Sequence, residues 1–159
     1  TREKARLMAD IGAVISEFPV TFDAAEIAVE RGMMTAMGAP NAMRGQSYSG
    51  NLSARDAHAN GLLDILASDY HPAAMLSAVM TLAETDPKGL VGATALVTSN
   101  PAKALGLPER GRIQVGLKAD LAFVDQGPLT RVSATMRDGA FVYTSGKLDF
   151  SLQKELLPA

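Results

Sequence analysis

The sequence contains no cysteine, no tryptophan and only two histidines among its 159 residues. The absence of cysteine excludes a disulfide framework, a Cys-ligated metal and a thiol nucleophile. No stretch approaches the roughly 18 consecutive apolar residues that a membrane span needs, and no signal-peptide pattern opens the chain. The net charge of −2 gives no electrostatic footprint for nucleic acid or an anionic membrane surface. We therefore expect a cytoplasmic protein without nucleic-acid or membrane partners.

The first two thirds of the chain alternate short apolar runs with segments of helical periodicity. Strands are predicted at 13–17, 33–37 and 62–67, and helices at 2–11, 22–31, 53–61 and 72–84. Two further helices are predicted to begin at Asp86-Pro87 and Asn100-Pro101, the second of them ending at Gly106. Alternation of this kind is typical of parallel βαβ units with right-handed crossovers. The sequence therefore predicts an α/β fold for this region.

Local signals mark where several of these helices begin and end. Thr21 and Ser53 stand at N-cap positions, and Asp56 follows Ser53 with the spacing of a capping box, with Asp in place of Glu. Gly12 and Gly32 directly follow two of the helical segments, where glycine commonly forms a C-terminal cap. We expect these residues to bound their helices.

The pattern changes after residue 108. Short β-prone runs follow at 111–116, 119–125, 131–137 and 140–145, separated by glycine and proline. Asp138-Gly139 lies between the last two runs and is a strong signal for a two-residue hairpin turn. The sequence therefore predicts a β region over 109–146. The tail 147–159 is compatible with a terminal helix or with disorder.

The predicted strands of the α/β region end in polar residues. The first ends at Glu17, the second opens into the segment 38–51, and the third is followed by Asp69. The loops at the carboxyl ends of parallel strands commonly carry function. Asp69 is compatible with a site residue and, equally, with an N-cap for the helix beginning at Pro72. Glu17, taken alone, is more typical of a solvated loop acid.

Neither histidine stands in a catalytic pattern. His71 precedes Pro72 and is predicted to be a loop or cap residue, and His58 lies in a predicted helix among charged neighbours, which favours the surface. Neither has a carboxylate at a telling spacing, and no serine lies in a G-x-S-x-G elbow. A triad hydrolase is therefore unsupported.

The segment 38–51 is long for a connection between a strand and a helix, which hints at a functional loop. Its glycines let backbone N–H groups approach a ligand, and an arginine with several hydroxyls suits phosphate oxygens. No GxxxxGK[ST] motif is present, so this is not a P-loop. A solvated, flexible loop explains the composition equally well. The candidate binding groups are Asn41, Arg44, Ser47, Tyr48, Ser49 and Asn51.

Several motifs, in order along the chain, resemble the amidohydrolase superfamily. SNPAKALGL, GRIQVGLKADLAFVD and MRDGAFVYTSG are similar to its C-terminal signature, in which a metal-dependent (β/α)8 TIM barrel is followed by strands of a small β-sandwich. Upstream, ISEFPVT, MGAPNAMRGQSYSGN and LDILASDYHPAAML resemble the branch of this superfamily that acts in phosphonate metabolism. The resemblance covers about residues 1–144.

The resemblance implies a domain order and a reaction. Residues 1–108 would be the C-terminal part of the barrel, about strands 6 to 8, and 109–146 would be strands of the β-sandwich. The activity implied is that of a metal-dependent hydrolase, which releases pyrophosphate from the triphosphate of ribose 1-methylphosphonate in phosphonate catabolism. The substrate would be this phosphorylated ribose phosphonate.

The resemblance also implies roles for individual residues. Asp69 corresponds to the aspartate that ends the eighth barrel strand, which is both catalytic and a metal ligand. Glu17, at the end of the sixth strand, would be a second carboxylate ligand. The cofactor implied is a divalent metal, with zinc as the first candidate. Substrate binding would fall to polar residues of 38–51, namely Asn41, Arg44, Ser47, Ser49 and Asn51.

Part of the superfamily pattern is missing. The His-x-His pair of the first strand and the ligands of the fourth and fifth strands have no counterpart here. Three strands do not close an eight-stranded barrel, and open strand edges invite pairing with other chains. We therefore expect a segment of a longer enzyme, inactive alone, with most metal ligands elsewhere, and a homo-oligomeric protein. Two alternatives stay open: an amidohydrolase acting on an amide or cyclic amide, and a non-catalytic binding or assembly module.

Overall fold

The computed structural model of the chain describes residues 1–45, 51–126 and 130–146. The chain divides into two compact units, Thr1–Arg112 and Ile113–Ala159. The first contains a parallel sheet with seven helices among the described residues, and the second contains an antiparallel sheet. No helix in the described ranges is long and apolar enough to cross a membrane. This division into compact units does not identify either unit as a barrel or a β-sandwich, so the predicted domain ranges stay predictions.

The first unit alternates helices and strands. Its elements are α1 (Arg2–Asp10), β1 (Ile15–Glu17), α2 (Phe22–Glu30), β2 (Met34–Gly38), α3 (Ala39–Arg44), α4 (Ala54–Ala59), β3 (Ile65–Ala67), α5 (Ala74–Ala83), α6 (Leu90–Ala95) and α7 (Ser99–Ala104). The strands pair in parallel in the order β1-β2-β3. The prediction of an α/β region with a parallel sheet is confirmed.

The register of the sheet brings the carboxyl ends of all three strands to one edge. Glu17 on β1 lies opposite Ala36 on β2, and Gly38 at the end of β2 lies opposite Ala67 at the end of β3. The backbone N–H of Phe18, directly after β1, still donates to the carbonyl of Ala36 at 2.8 Å. Residues that follow β1, β2 and β3 are therefore neighbours at this carboxyl edge.

The predicted N-caps Thr21 and Ser53 are confirmed. The Thr21 hydroxyl accepts from the backbone N–H of Ala24 at 3.2 Å at the start of α2. At the start of α4, the Ser53 hydroxyl accepts from the N–H of Asp56 at 3.0 Å and donates to the Asp56 carboxylate at 2.6 Å. Both side chains satisfy N–H groups that a helix leaves unpaired in its first turn.

The core of the first unit lies between one face of the sheet and the helices α2 to α6. Met37 and Leu66 contribute from the sheet, and Leu82 contributes from α5. Many of the remaining core side chains are alanines with no exposed surface, which lets the helix backbones approach closely. These fully buried alanines are Ala25, Ala39, Ala42, Ala54, Ala57, Ala78 and Ala93.

The third strand is shorter than predicted. Residues 62–67 were predicted as the strand, but β3 begins only at Ile65. Upstream of it, the Asp64 carboxylate accepts from the backbone N–H of Thr35 at 2.9 Å, and the Thr35 hydroxyl donates to the carbonyl of Leu62. Thr35 is fully buried, so these bonds satisfy polar groups in the core. They add to the backbone hydrogen bond from the N–H of Asp64 to the carbonyl of Thr35 at 3.1 Å and explain why an aspartate interrupts the apolar run.

The prediction of a continuous loop over 38–51 is wrong in its first half. Ala39–Arg44 forms the short helix α3, followed by Gly45 in the left-handed conformation at φ +72°. The sequence carried the signals for it, with Pro40 in the first turn and a glycine directly after the end. Because the helix has only six residues, it shows no helical periodicity in the sequence.

Two predicted helix starts are displaced. Asp86 does not cap α6: its carboxylate accepts from the backbone N–H of Lys88 at 2.7 Å in a turn that precedes the helix. Asn100 lies inside α7, where its side-chain amide donates to the carbonyl of Asp64 at 2.9 Å. Both helices exist as predicted, but a local turn takes the side chain of Asp86 and a tertiary hydrogen bond takes that of Asn100.

The second unit contains β4 (Leu121–Asp125), β5 (Arg131–Arg137) and β6 (Ala140–Thr144), paired antiparallel in that order. Asp138 and Gly139 have φ angles of +48° and +80°, as a tight hairpin turn between β5 and β6 requires, so that prediction is confirmed. Residues 111–116 form no strand, against prediction. Ile113 and Val115 are 88% and 100% exposed, so the run has no packed face to order it. The β-sandwich stays a prediction.

Candidate functional site at the carboxyl edge of the parallel sheet

Asp69 lies at the carboxyl edge, in the turn that follows β3. Its φ angle is +53°, a conformation that costs energy for residues other than glycine and that occurs often at functional sites. The helix α5 begins at Ala74, and its N-cap position is held by Ala73. The interpretation of Asp69 as the N-cap of this helix is therefore wrong. Its carboxylate is exposed at the edge where the three strands end.

Gly38, the last residue of β2, packs directly against Asp69. A Cβ atom added at position 38 would lie 2.7 Å from Asp69 Oδ2, closer than such atoms approach, and at a tight 3.1 Å from Asp69 Cβ. Any larger residue at position 38 would therefore displace the Asp69 side chain from its present position. The sequence reasoning missed this role, because the contact joins residues that lie on different strands.

Arg44 and Tyr70 form a second connection between the same two segments. Arg44 occupies the last turn of α3, and its guanidinium Nη1 donates to the hydroxyl of Tyr70, the residue after Asp69. The structure thus connects two predicted segments of a site, because Arg44 from 38–51 contacts the residue that follows Asp69. A guanidinium can bind a phosphoryl group, and a carboxylate can accept a proton from water.

Other residues of 38–51 have structural partners. The Asn41 side-chain oxygen accepts from the backbone N–H of Ala54 at 2.9 Å, which satisfies the start of α4. Arg55, which the sequence reasoning did not single out, donates from Nε to the carbonyl of Ala42 at 2.6 Å and so holds the end of α3 in place. Asn51 is exposed. The predicted binding residues Ser47 and Ser49, with Tyr48, lie outside the described residues.

Glu17 lies at the end of β1, exposed at the same edge. Its strand is separated from that of Asp69 by β2. Glu17 also lines a cavity of about 360 Å³ on the sheet, together with Ile15, Ala36, Ile65, Pro101 and Leu105. The cavity is therefore lined mainly by apolar side chains, and the carboxylate of Glu17 is a charged group at its wall.

The carboxylates at this edge do not complete a metal site. Among the described residues, no group of three or more His, Cys, Asp or Glu side chains is placed to hold an ion. Bound zinc has three or four protein ligands. The oxygen donors of Asp69 and Glu17 have the right chemistry for a divalent cation, but they supply only part of a coordination shell.

The other polar pair of interest lies away from this edge. His58 Nε2 is 2.9 Å from Asp86 Oδ2, and their side chains are only 7% and 11% exposed, so the prediction that His58 is a surface residue is wrong. The second ring nitrogen, Nδ1, is buried with no hydrogen-bond partner among the described residues. His58 ends α4 before β3 and Asp86 follows α5, so the pair lies towards the opposite, amino edge of the sheet.

The surroundings of the Asp86 carboxyl in this pair lower its pKa. Burial alone would raise its pKa, but the hydrogen bonds from the Lys88 backbone and from His58, with the nearby positive charges, outweigh burial and lower the pKa below 3.8. Asp86 is therefore ionised under ordinary conditions. The sequence offered no signal for this contact, because 28 positions separate the two residues.

Solved structures share this architecture. An uncharacterised protein matches with a TM-score of 0.67 at 20% identity, over 91% of this chain and 44% of that one. The 5-methylcytosine deaminase from Klebsiella pneumoniae matches with a TM-score of 0.62 at 16% identity, over 93% of this chain and 44% of the deaminase. At identities this low, the likeness concerns the fold alone.

A curated relative is much more similar in sequence. The chain is 50% identical over 113 residues to the alpha-D-ribose 1-methylphosphonate 5-triphosphate diphosphatase of Escherichia coli (strain K12). The match covers 70% of this chain and 30% of that protein, so the chain spans less than a third of the relative's length. The profile of the amidohydrolase family matches residues 2–145, nearly the whole chain. The chain belongs to the amidohydrolase family.

Proposed function

We propose that this chain is part of a hydrolase that cleaves the triphosphate of ribose 1-methylphosphonate 5-triphosphate and releases pyrophosphate in phosphonate catabolism. The observation that carries the proposal is the hydrogen bond from Arg44 to Tyr70, which connects the end of α3 to the residue directly after Asp69 at the carboxyl edge. The 50% identical diphosphatase supports the choice of substrate. The family match supports hydrolysis as the reaction class.

The proposed chemistry uses the side chains of Asp69 and Arg44 in different roles. The Asp69 carboxylate accepts a proton from a water molecule, whose oxygen forms a bond to phosphorus. The bridging P–O bond then breaks and pyrophosphate leaves with its electron pair. The Arg44 guanidinium neutralises charge on the non-bridging phosphate oxygens, which are most negative in the transition state. Asn41, Ser47, Ser49 and Asn51 remain candidates for further substrate contacts.

Members of the family are generally metal-dependent, and a divalent metal, with zinc as the first candidate, belongs to the proposal. When bound, such an ion would lower the pKa of a coordinated water. Asp69 and Glu17 are the described carboxylates that could contribute to holding it. Because they supply only part of the ligands, no step assigned here to Asp69 or Arg44 depends on the geometry of the ion.

An assay of pyrophosphate release tests the proposal directly. The full-length protein that contains this chain is expected to release pyrophosphate from the ribose triphosphate, and the 159-residue chain alone is expected to be inactive. Comparable activity in the chain alone would contradict its interpretation as part of a longer catalytic unit. A metal-free, inactive full-length protein would favour the alternative of a non-catalytic binding or assembly module.

Replacing Arg44 with alanine separates the triphosphate substrate from the alternative of an amide or cyclic amide. For the triphosphate, kcat/KM is expected to fall by about 10- to 100-fold, because a hydrogen-bonded charge on the phosphates is lost. Hydrolysis of an uncharged cyclic amide should change little. Arg31→Ala is the matched control, since Arg31 is an exposed arginine at the end of α2 that pairs with Asp10. Unchanged pyrophosphate release in Arg44→Ala would sink this assignment.

A further inference from the structure

We propose that Tyr70 is a positioning residue for Arg44, and that its hydroxyl holds the guanidinium in the orientation that binds substrate phosphate. This inference rests on the proposed function and adds a residue to it. Tyr70 lies directly after Asp69 in the chain, and its hydroxyl accepts a hydrogen bond from Arg44 Nη1. The two residues come from segments that are 26 positions apart.

The ring of Tyr70 is not ordered by burial. The side chain is 70% exposed, so burial of the ring contributes little to holding it. Arg44 is also exposed, at the end of α3. An arginine side chain has about 2 kcal/mol of rotamer entropy to lose when it binds a ligand. The hydrogen bond to Tyr70 restricts the guanidinium before substrate arrives, so less of that entropy is lost on binding.

The backbone of Asp69 determines where Tyr70 points. At φ +53°, the chain turns sharply after β3 instead of continuing in the strand direction. The same turn places the Asp69 carboxylate against Gly38 and the Tyr70 hydroxyl against Arg44. One backbone conformation therefore sets the positions of the proposed proton acceptor and, through Tyr70, of the proposed phosphate-binding cation.

The tyrosine hydroxyl is an uncharged hydrogen-bond partner for the arginine. A guanidinium carries five N–H donors in a fixed plane, and the hydrogen bond to Tyr70 uses one of them. Tyr70 accepts this bond through its oxygen and retains an O–H donor of its own. A tyrosine in this position orients the arginine without neutralising it, whereas a carboxylate would form an ion pair that competes with phosphate.

Replacing Tyr70 with phenylalanine in the full-length protein tests the inference. The KM for the triphosphate is expected to rise by about 3- to 10-fold, while kcat stays within twofold of wild type, because the hydroxyl affects substrate binding and transition-state binding equally. Tyr143→Phe is the matched control, since it removes a hydroxyl from an exposed tyrosine of β6 in the second unit. An unchanged KM in Tyr70→Phe would overturn the inference.

A double variant separates positioning from a general loss of structure. If Tyr70 acts through Arg44, then Tyr70→Phe should cause no further loss of kcat/KM in an Arg44→Ala background. Losses that multiply fully in the double variant would show that Tyr70 acts independently and would overturn the inference.

A readout that does not depend on activity completes the test. In an NMR spectrum of the full-length protein, the guanidinium Nε–Hε signal of Arg44 is expected to shift and broaden in Tyr70→Phe, and to stay in place in Tyr143→Phe. An unchanged Arg44 signal would refute the positioning role, whatever the activity. Absence of pyrophosphate release from the wild-type protein would instead refute the proposed function, so the two failures are distinguishable.

Discussion

Replacing Asp69 with asparagine is expected to lower kcat for pyrophosphate release by the full-length protein by about 100- to 10,000-fold, the range typical for loss of a general base. Asparagine has nearly the same shape, so it can occupy the space beside Gly38 that the aspartate fills. Thermal unfolding should therefore change little. Steady-state kinetics and an unfolding curve on the same preparation check both expectations.

Two further variants show whether the position of Asp69 matters as much as its charge. Gly38→Ala leaves the carboxylate intact but places a Cβ atom 2.7 Å from its Oδ2, so the side chain must move. We expect its kcat to fall towards that of Asp69→Asn. Asp10→Asn, on the exposed end of α1, is the control for loss of one negative charge. A kcat for Asp69→Asn within tenfold of wild type would contradict the assignment.

Replacing Gly92 with alanine is expected to lower the free energy of unfolding by about 2–4 kcal/mol, the range for breaking a buried hydrogen-bonded pair. The added Cβ would lie 2.0 Å from Asp86 Oδ1 and 2.5 Å from its Cγ. Asp86 would have to rotate away, and His58 would be left buried without its partner. Chemical denaturation followed by circular dichroism measures the loss.

The effect of Gly92→Ala on the free energy of unfolding should change sign when Asp86 has been replaced with alanine. In Asp86→Ala the clash is gone, and alanine inside α6 is favoured over glycine by about 1 kcal/mol of helix propensity. Gly92→Ala should therefore stabilise the Asp86→Ala protein while it destabilises the wild type. Equal effects in both backgrounds would show that the clash with Asp86 is not the cause.

The same variant has a defined pH dependence. Because the pKa of Asp86 is lowered in the folded protein, its ionised form stabilises the fold above the unfolded value of 3.8, and this contribution is lost as the pH falls through the folded pKa. The loss of unfolding free energy in Gly92→Ala is therefore expected to be full at neutral pH and to become smaller in acid, below pH 3.8.

The features that the sequence predicted well are local or periodic. Thr21 and Ser53 cap their helices as expected, because a cap depends on residues three positions away. The parallel sheet followed from the alternation of apolar runs and helical segments. That alternation also located Glu17 and Asp69 near one edge, because parallel strands all end on the same side.

The features that the sequence did not reveal depend on contacts between distant segments. The packing of Gly38 against Asp69 joins the ends of two strands, and the pairing of His58 with Asp86 joins two helical segments. Neither contact has a spacing that could be recognised along the chain. Arg44 was singled out for its chemistry, but its partner Tyr70 was not, since only the turn at Asp69 directs the tyrosine towards α3.

The fully buried alanines between α3 and α5 limit how this protein can change. Ala39 and Ala42 on α3 and Ala78 on α5 have no exposed surface, and these two helices pack against each other. A larger side chain at any of the three would push α3 outward and carry Arg44 with it. Displacements of about 1 Å at a reacting group can reduce rates 100-fold. Under the proposed function, mutational tolerance in this part of the core is therefore limited by the position of Arg44 as well as by stability.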